Sequence, residues 1–440
     1  MSKGNFTKQS TATGICHAIS MVCILLTQII IARVFGAEGR GIFANAFTLA
    51  GFLTLMLDSG HAPANAYFVA SGKQKISEAV NSTLIGLVIS VLLLAVFTFY
   101  TVFFRPSFVV LLSNSIIILA FAVIPITWST EHMAGILRGT GRPDLAYWVY
   151  GISSSSRLVS LIGLCLLLHL KNMEIVFITG IIGAVMSLVW VLWFLRSHLT
   201  FACLRLNLQA FKQSIIYSMK FFFARIANPM QIRIEMIVIP LILANVVSLG
   251  VYAQGFAILN QLILSSTVVG YVLMPRVAKD GTASAFLTAR VCRLVLFVSV
   301  CIGIAILFLA KPVVPFVFGE DFSATVPLML IMLPGMVFRS FSKIIYYYLQ
   351  GRGKPATISV VSFFSLAVLL GIDILLIPVI GIKGAAIGTL CSCLVEFIIF
   401  AILFSRESGV TFAQMFFIRK EDLQLIIDKV LGLVKLRVKS

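Results

Sequence analysis

The sequence predicts an all-α, polytopic membrane protein: about twelve transmembrane helices in two parallel-repeat six-helix lobes around a central cavity. Three observations carry this expectation. Of 440 residues, 60% are hydrophobic and 11% are charged, against roughly 45–50% and about 25% in soluble domains. The mean hydropathy is +1.06. A water-soluble fold of this size has no interior for so much apolar side chain, which excludes a soluble enzyme and a disordered chain. The apolar residues also fall into runs long enough to cross a bilayer, which takes about 20 residues each. Finally, two motifs recur along the chain at nearly one spacing.

The candidate spans are 11–35, 41–68, 77–104, 108–136, 144–170, 173–195, 214–243, 247–274, 287–310, 323–350, 356–378 and 382–405. The loops between them alternate in charge. One set holds most of the cations, among them Lys73, Arg138, Arg142, Arg276, Lys279, Arg352 and Lys354. The other holds Arg40, Arg105, Lys171, Lys311 and Lys383, partly offset by Glu38, Glu320 and Asp321. Cytoplasmic loops collect Lys and Arg, so the first set is cytoplasmic and an even number of spans places both termini there. This asymmetry accounts for the net charge of +18. Nucleic-acid binding would need a basic soluble module, and the sequence has none.

Met1 to Ser10 is polar and precedes a first helix that is retained, since no small-residue cleavage site follows it. The tail, 411–440, is basic and amphipathic. Leu423, Ile427, Val430, Leu431 and Val434 recur at helical spacing, interrupted by Lys429, Lys435 and Arg437. That pattern suits a helix lying on anionic lipid at the cytoplasmic face. The eight cysteines form no CxxC pair, which points to packed thiols, with no metal site and no cofactor. No Walker A sequence is present, so the chain does not draw on its own ATP hydrolysis.

The recurring motifs divide the chain in two. Leu137-Arg138-Gly139-Thr140-Gly141-Arg142-Pro143 follows span four, and Leu349-Gln350-Gly351-Arg352-Gly353-Lys354-Pro355 follows span ten, at an offset of 349 − 137 = 212. Gly41 to Phe47 opens span two and Gly250 to Phe256 opens span eight, at 250 − 41 = 209. Six spans separate each pair. Six is even, so the halves share one orientation and the repeat is parallel, about an axis along the membrane normal. The lobes are 11–195 and 214–405, joined by a basic cytoplasmic linker, 196–213. Two like-oriented lobes can rock and expose a central cavity to either side in turn, which favours a transporter over a membrane enzyme.

Four patterns resemble one family. Ala32-Arg33 with Phe35-Gly36, then Gly41 and Phe43, is similar to the first loop of polysaccharide-transporter proteins. Ser248 to Ala253 with Pro275, the segment Phe316 to Phe322, and Leu349 to Pro355 complete the set. The order and spacing match the O-antigen and capsule-repeat flippases, within the superfamily that also holds multidrug-extrusion antiporters and lipid II flippases. The resemblance implies a substrate of undecaprenyl-pyrophosphate-linked oligosaccharide, moved from the cytoplasmic to the periplasmic leaflet of a bacterial inner membrane. It also implies membrane lipids and other glycan polymerisation and export proteins as partners. A cation-coupled antiporter of the same superfamily and a non-transporting scaffold of a glycan assembly complex are the alternatives.

Ionisable groups inside spans are costly, so each is a candidate functional residue. Span seven carries Arg225, Asn228, Gln231 and Glu235 on one helical face, with Arg233 off that face and expected to reach outward. In the resembling family spans one, two, seven and eight line the cavity, which would bring in His17, Asn45, Asp58, Gln254 and Gln261. Arg157 in span five and Arg339 and Lys343 in span ten would add positive charge suited to a pyrophosphate. The competing reading of this polar set is an interhelical hydrogen-bond seam. No nucleophile–base pair occurs, so a non-enzyme is expected.

Overall fold

A computed structural model describes residues 3–58, 61–198, 207–219, 226, 229–231 and 233–417. The described residues form helices joined by short turns, with no strand among them. The helices are α1 (Lys3–Leu57), α2 (His61–Ala70), α3 (Ile76–Phe104), α4 (Asn114–Gly139), α5 (Pro143–Leu161), α6 (Glu174–Leu195) and α7 (Leu208–Met219). They continue as α8 (Glu235–Leu243), α9 (Val246–Asp280), α10 (Ala285–Phe318), α11 (Thr325–Gly351), α12 (Pro355–Ile380), α13 (Ile382–Ser408) and α14 (Phe412–Phe416).

Ten of these stretches are long and apolar enough to span a bilayer. The ten reconcile with twelve expected spans. Spans one and two are continuous in the 40-residue stretch Ala18–Leu57, which bends at Gly36, whose φ is 64°. Only glycine adopts that backbone without steric cost. Span seven falls partly outside the described residues, and its described helices are short.

The chain forms two compact units: 1–251 with 317–321, and 252–316 with 322–440. In the first, α4 is the central helix, packed by α1, α2, α3, α5 and α6. Its contact with α2 is close because Gly135 and Gly139 carry no side chain: a Cβ on Gly139 would lie 3.0 Å from the Ala66 carbonyl. Small residues let helices approach in a membrane, where no hydrophobic force draws them together. Asn65, fully buried on α2, donates to Thr83 Oγ1 on α3 (2.9 Å) and to the His132 carbonyl on α4 (3.2 Å). Asn65→Leu should therefore cost about 1–2 kcal/mol, read as a lowered unfolding midpoint in detergent. Segment 317–321 docks on the bend of α1, where Arg33 Nε donates to the Val317 carbonyl at 2.8 Å. In the second unit α13 packs on both α11 and α12.

The two copies of the Gly-x-Gly turn are built alike. Arg142 N–H donates to the Leu137 carbonyl (3.2 Å) and Lys354 N–H to the Leu349 carbonyl (3.0 Å), each closing the end of a helix. Gly141 and Gly353 adopt φ of 81° and 71° at equivalent places. Apolar side chains such as Phe99, Phe103, Leu167, Phe316, Leu375 and Val379 stand exposed, as lipid contact requires and water would not allow.

Candidate functional site: an arginine-lined cavity

Beyond its bend, α1 presents Phe43, Phe47, Ala50, Gly51 and Thr54 at three- and four-residue spacing, hence on one face. This face borders a cavity of about 390 Å³ inside the first unit, completed by α4 (Val123, Thr127), α5 (Ser153, Arg157) and α6 (Phe177, Gly180), with Pro229 and Arg233.

Two guanidinium groups face this space, each held by an aromatic ring. Arg157 lies 5.0 Å from the centre of the Phe43 ring and Arg233 lies 5.6 Å from that of Phe47. A third, Arg40, sits 5.6 Å from the same Phe43 ring. A Cβ on Gly51 would collide with Arg233 Nη1, so the glycine makes room for the cation. Among the described residues no acid lines the cavity, and Arg157 Nε has no hydrogen-bond partner. The negative face of a ring holds a guanidinium without neutralising it. A guanidinium does not shed its proton, so its field persists in a low-dielectric surrounding. The cavity is therefore cationic and otherwise mostly apolar, a chemistry that accepts a phosphate group bidentately alongside an apolar chain.

The structure disperses the other sequence candidates. Arg225 and Asn228 lie outside the described residues, as does the side chain of His17. Gln231 and Glu235 are each 1% exposed. Asn45 donates from Nδ2 to the Met236 carbonyl at 3.1 Å, tying α1 to α8. Asp58 meets His132, Nε2 to Oδ1 at 3.3 Å. His132 Nδ1 lies 2.6 Å from the Trp128 carbonyl, to which it donates, and its ring stacks on Trp128. In the second unit Gln254 is fully buried and Gln261 half-buried. Arg339 pairs with Glu396 at 3.3 Å, both almost fully buried, and Lys343 sits 4.7 Å from the Tyr346 ring centre.

Sequence reasoning met Phe43 and Phe47 only as parts of a motif, missed His132, and placed two cations elsewhere. Arg233 lines the cavity and does not reach outward, while Arg40, counted among loop cations, is 5% exposed within α1. The Phe43–Phe47 pair, four apart and followed by small residues on the same face, is the signal that could have found the site.

Residues 6–279 match the polysaccharide biosynthesis protein family. No curated protein sequence matches the chain. Solved structures match in fold. The lipid II flippase MurJ in its inward closed conformation aligns with a TM-score of 0.72 and 14% identity, over 96% of each chain. A multidrug resistance MATE family transporter of the MOP superfamily, inward-facing, aligns at 0.68 and 14% identity, over 89% of this chain and 96% of that one. The Vibrio cholerae MATE transporter VcmN, in its bent form, aligns at 0.59 and 13% identity, over 92% and 98%.

Proposed function

Because the chain belongs to the polysaccharide biosynthesis protein family, whose fold here is that of MOP-superfamily transporters, we propose that it is a flippase for undecaprenyl-pyrophosphate-linked oligosaccharide. The substrate would be an O-antigen or similar surface-polysaccharide repeat unit, carried from the cytoplasmic to the periplasmic leaflet of a bacterial inner membrane. The lobes 11–195 and 214–405 alternate access to the cavity, with the linker 196–213, the tail 411–440 and both termini in the cytoplasm. The observation that carries this reading is the cavity bearing Arg157 and Arg233 with no acid among its described lining residues. A pyrophosphate brings the charge such a site lacks, and an aliphatic or sugar portion suits the remaining wall. An exporter of cationic drugs would need acidic lining instead, and a scaffold would need no cationic cavity. Arg225, on the same expected span as Arg233, would add a third contact to the anion.

Disrupting the gene should remove surface glycan and accumulate its lipid-linked precursor on the cytoplasmic leaflet; unchanged glycan display with no precursor build-up would refute the reading. Reporter fusions after Lys73 and Lys279 should report cytoplasm, and fusions near Arg105 and Lys311 periplasm. A periplasmic C-terminus would overturn this topology and the parallel repeat with it.

A further inference from the structure

The cavity of the first unit changes character along its length. At the level of Phe43 and Phe47 its polar groups are the guanidinium groups of Arg157 and Arg233. Ser153 lies one turn from Arg157 on α5 and shares its face, so it belongs to the same layer. Beyond that layer two hydroxyls border the space from different helices, Thr54 on α1 and Thr127 on α4. They stand at one height, because Trp128 Nε1, beside Thr127, donates to the carbonyl of Leu57, one turn past Thr54, at 3.4 Å. Thr54 is also close to the cations: it follows Gly51, against which Arg233 Nη1 rests, by about 4.5 Å along the helix. Both hydroxyl protons are already committed. Thr54 Oγ1 donates to the Ala50 carbonyl at 2.8 Å, and Thr127 Oγ1 shares its proton between the carbonyls of Val123 and Ile124, at 3.1 Å each. A hydroxyl has one proton and two lone pairs, so what these two offer the cavity is acceptor capacity alone. An oxyanion brings no proton to such a pair. A sugar ring does, through its hydroxyl or acetamido N–H groups.

We propose that Thr54 and Thr127 form a sugar subsite beside the anion site, accepting hydrogen bonds from the ring joined to the pyrophosphate and so setting which substrate is carried; this rests on the flippase reading above. The cavity's polarity is divided to suit such a molecule. The arginines take its charged part and have no lone pair to accept with, while the threonines take its neutral ring and have no proton to spare. A substrate must then present an anion and a donor-bearing ring side by side, and a bare lipid pyrophosphate meets only the first demand. Threonines that bond back to their own helix are ordinary in apolar helices: Thr98 on α3 makes the same bond to the Leu94 carbonyl, at 2.7 Å, but does not border the cavity. Thr54 and Thr127 differ from it in converging from two helices onto one space next to the cations.

The test is equilibrium binding to the purified full chain in lipid nanodiscs, with two probes: undecaprenyl-pyrophosphate, and undecaprenyl-pyrophosphate bearing a single N-acetylglucosamine. Two neutral hydrogen bonds, each worth a few-fold in affinity, should make the parent bind the sugar-bearing probe about tenfold more tightly. Thr54→Val with Thr127→Val keeps the side-chain shape and removes both acceptors. The two probes should then bind equally, with affinity for the bare pyrophosphate unchanged. Thr54→Ser with Thr127→Ser should keep most of the preference, and Thr98→Val should keep all of it. Should the double valine variant fail to fold, either single valine variant decides, and should lower the preference about threefold. An undiminished preference in folded valine variants, or an equal loss of affinity for both probes, would overturn the subsite. Equal binding of both probes by the parent would overturn the subsite and leave the flippase reading standing, whereas binding of neither would overturn that reading and the subsite with it.

Discussion

Replacing Arg157 and Arg233 together with alanine should abolish glycan translocation while the protein still inserts at normal abundance. Each charge-assisted hydrogen bond to a phosphate contributes about 1.5–3 kcal/mol, so losing both predicts a fall of about 10²–10⁴-fold in transport. The stability effect should run the other way. The two cations lie in the first unit without an ion pair among the described residues, and a desolvated, unpaired charge is a cost to the fold. The double variant should therefore unfold at the same temperature as the parent or higher. Lysine at either position keeps the charge but loses the planar fork and its stacking on Phe43 or Phe47, so partial transport should remain. A double alanine variant that transports normally, or that fails only because it is unfolded, would assign these arginines to packing.

The second large effect concerns Glu396. Its carboxylate meets Arg339 Nε at 3.3 Å, with both side chains at 2% exposure or less. Glu396→Gln leaves a buried guanidinium with a neutral partner and should cost about 3–5 kcal/mol. In a protein of ordinary stability that is a large part of the total, so little folded material should accumulate. Replacing both partners with apolar residues of similar size, Arg339→Met with Glu396→Leu, should restore most of the loss. Measured as a double-mutant cycle by thermal unfolding in detergent, the coupling should be strong. Additive single effects would mean that the pair is not an interacting unit. Rescue of folding together with transport would place Arg339 in a structural seam, distinct from the cation site on α5.

Much of the architecture is legible in the sequence because lipid imposes it. A helix exposed to hydrocarbon must be apolar for about 20 residues, and the runs ending near Phe104, Leu195 and Ile380 reappear as helices. The Gly-x-Gly turns reappear with matching hydrogen bonds because glycine is needed where φ is positive. The junction of spans one and two was less visible: the single glycine at 36 bends the chain, yet helix runs on both sides of it. The site was only partly legible. Arg157 could be named because a cation inside a span is expensive. Arg40 and Arg233 could not be placed, because facing depends on which helices pack beside them, and charge alone carries no such direction. The partnership of Asp58 with His132 joins the end of α1 to α4 across 74 positions, and nothing local in either segment announces it.

Purified protein reconstituted into liposomes with undecaprenyl-pyrophosphate-linked oligosaccharide offers the sharpest test of the flippase reading. The lipid-linked glycan is loaded on the inner leaflet, and a glycan-cleaving enzyme outside reports what has crossed. The parent chain should make the inner pool cleavable at a rate well above empty liposomes, and the Arg157→Ala/Arg233→Ala variant should not. Glycan that stays protected in the presence of folded protein, while a cationic dye is moved across the same membrane, would contradict the flippase and point to the antiporter.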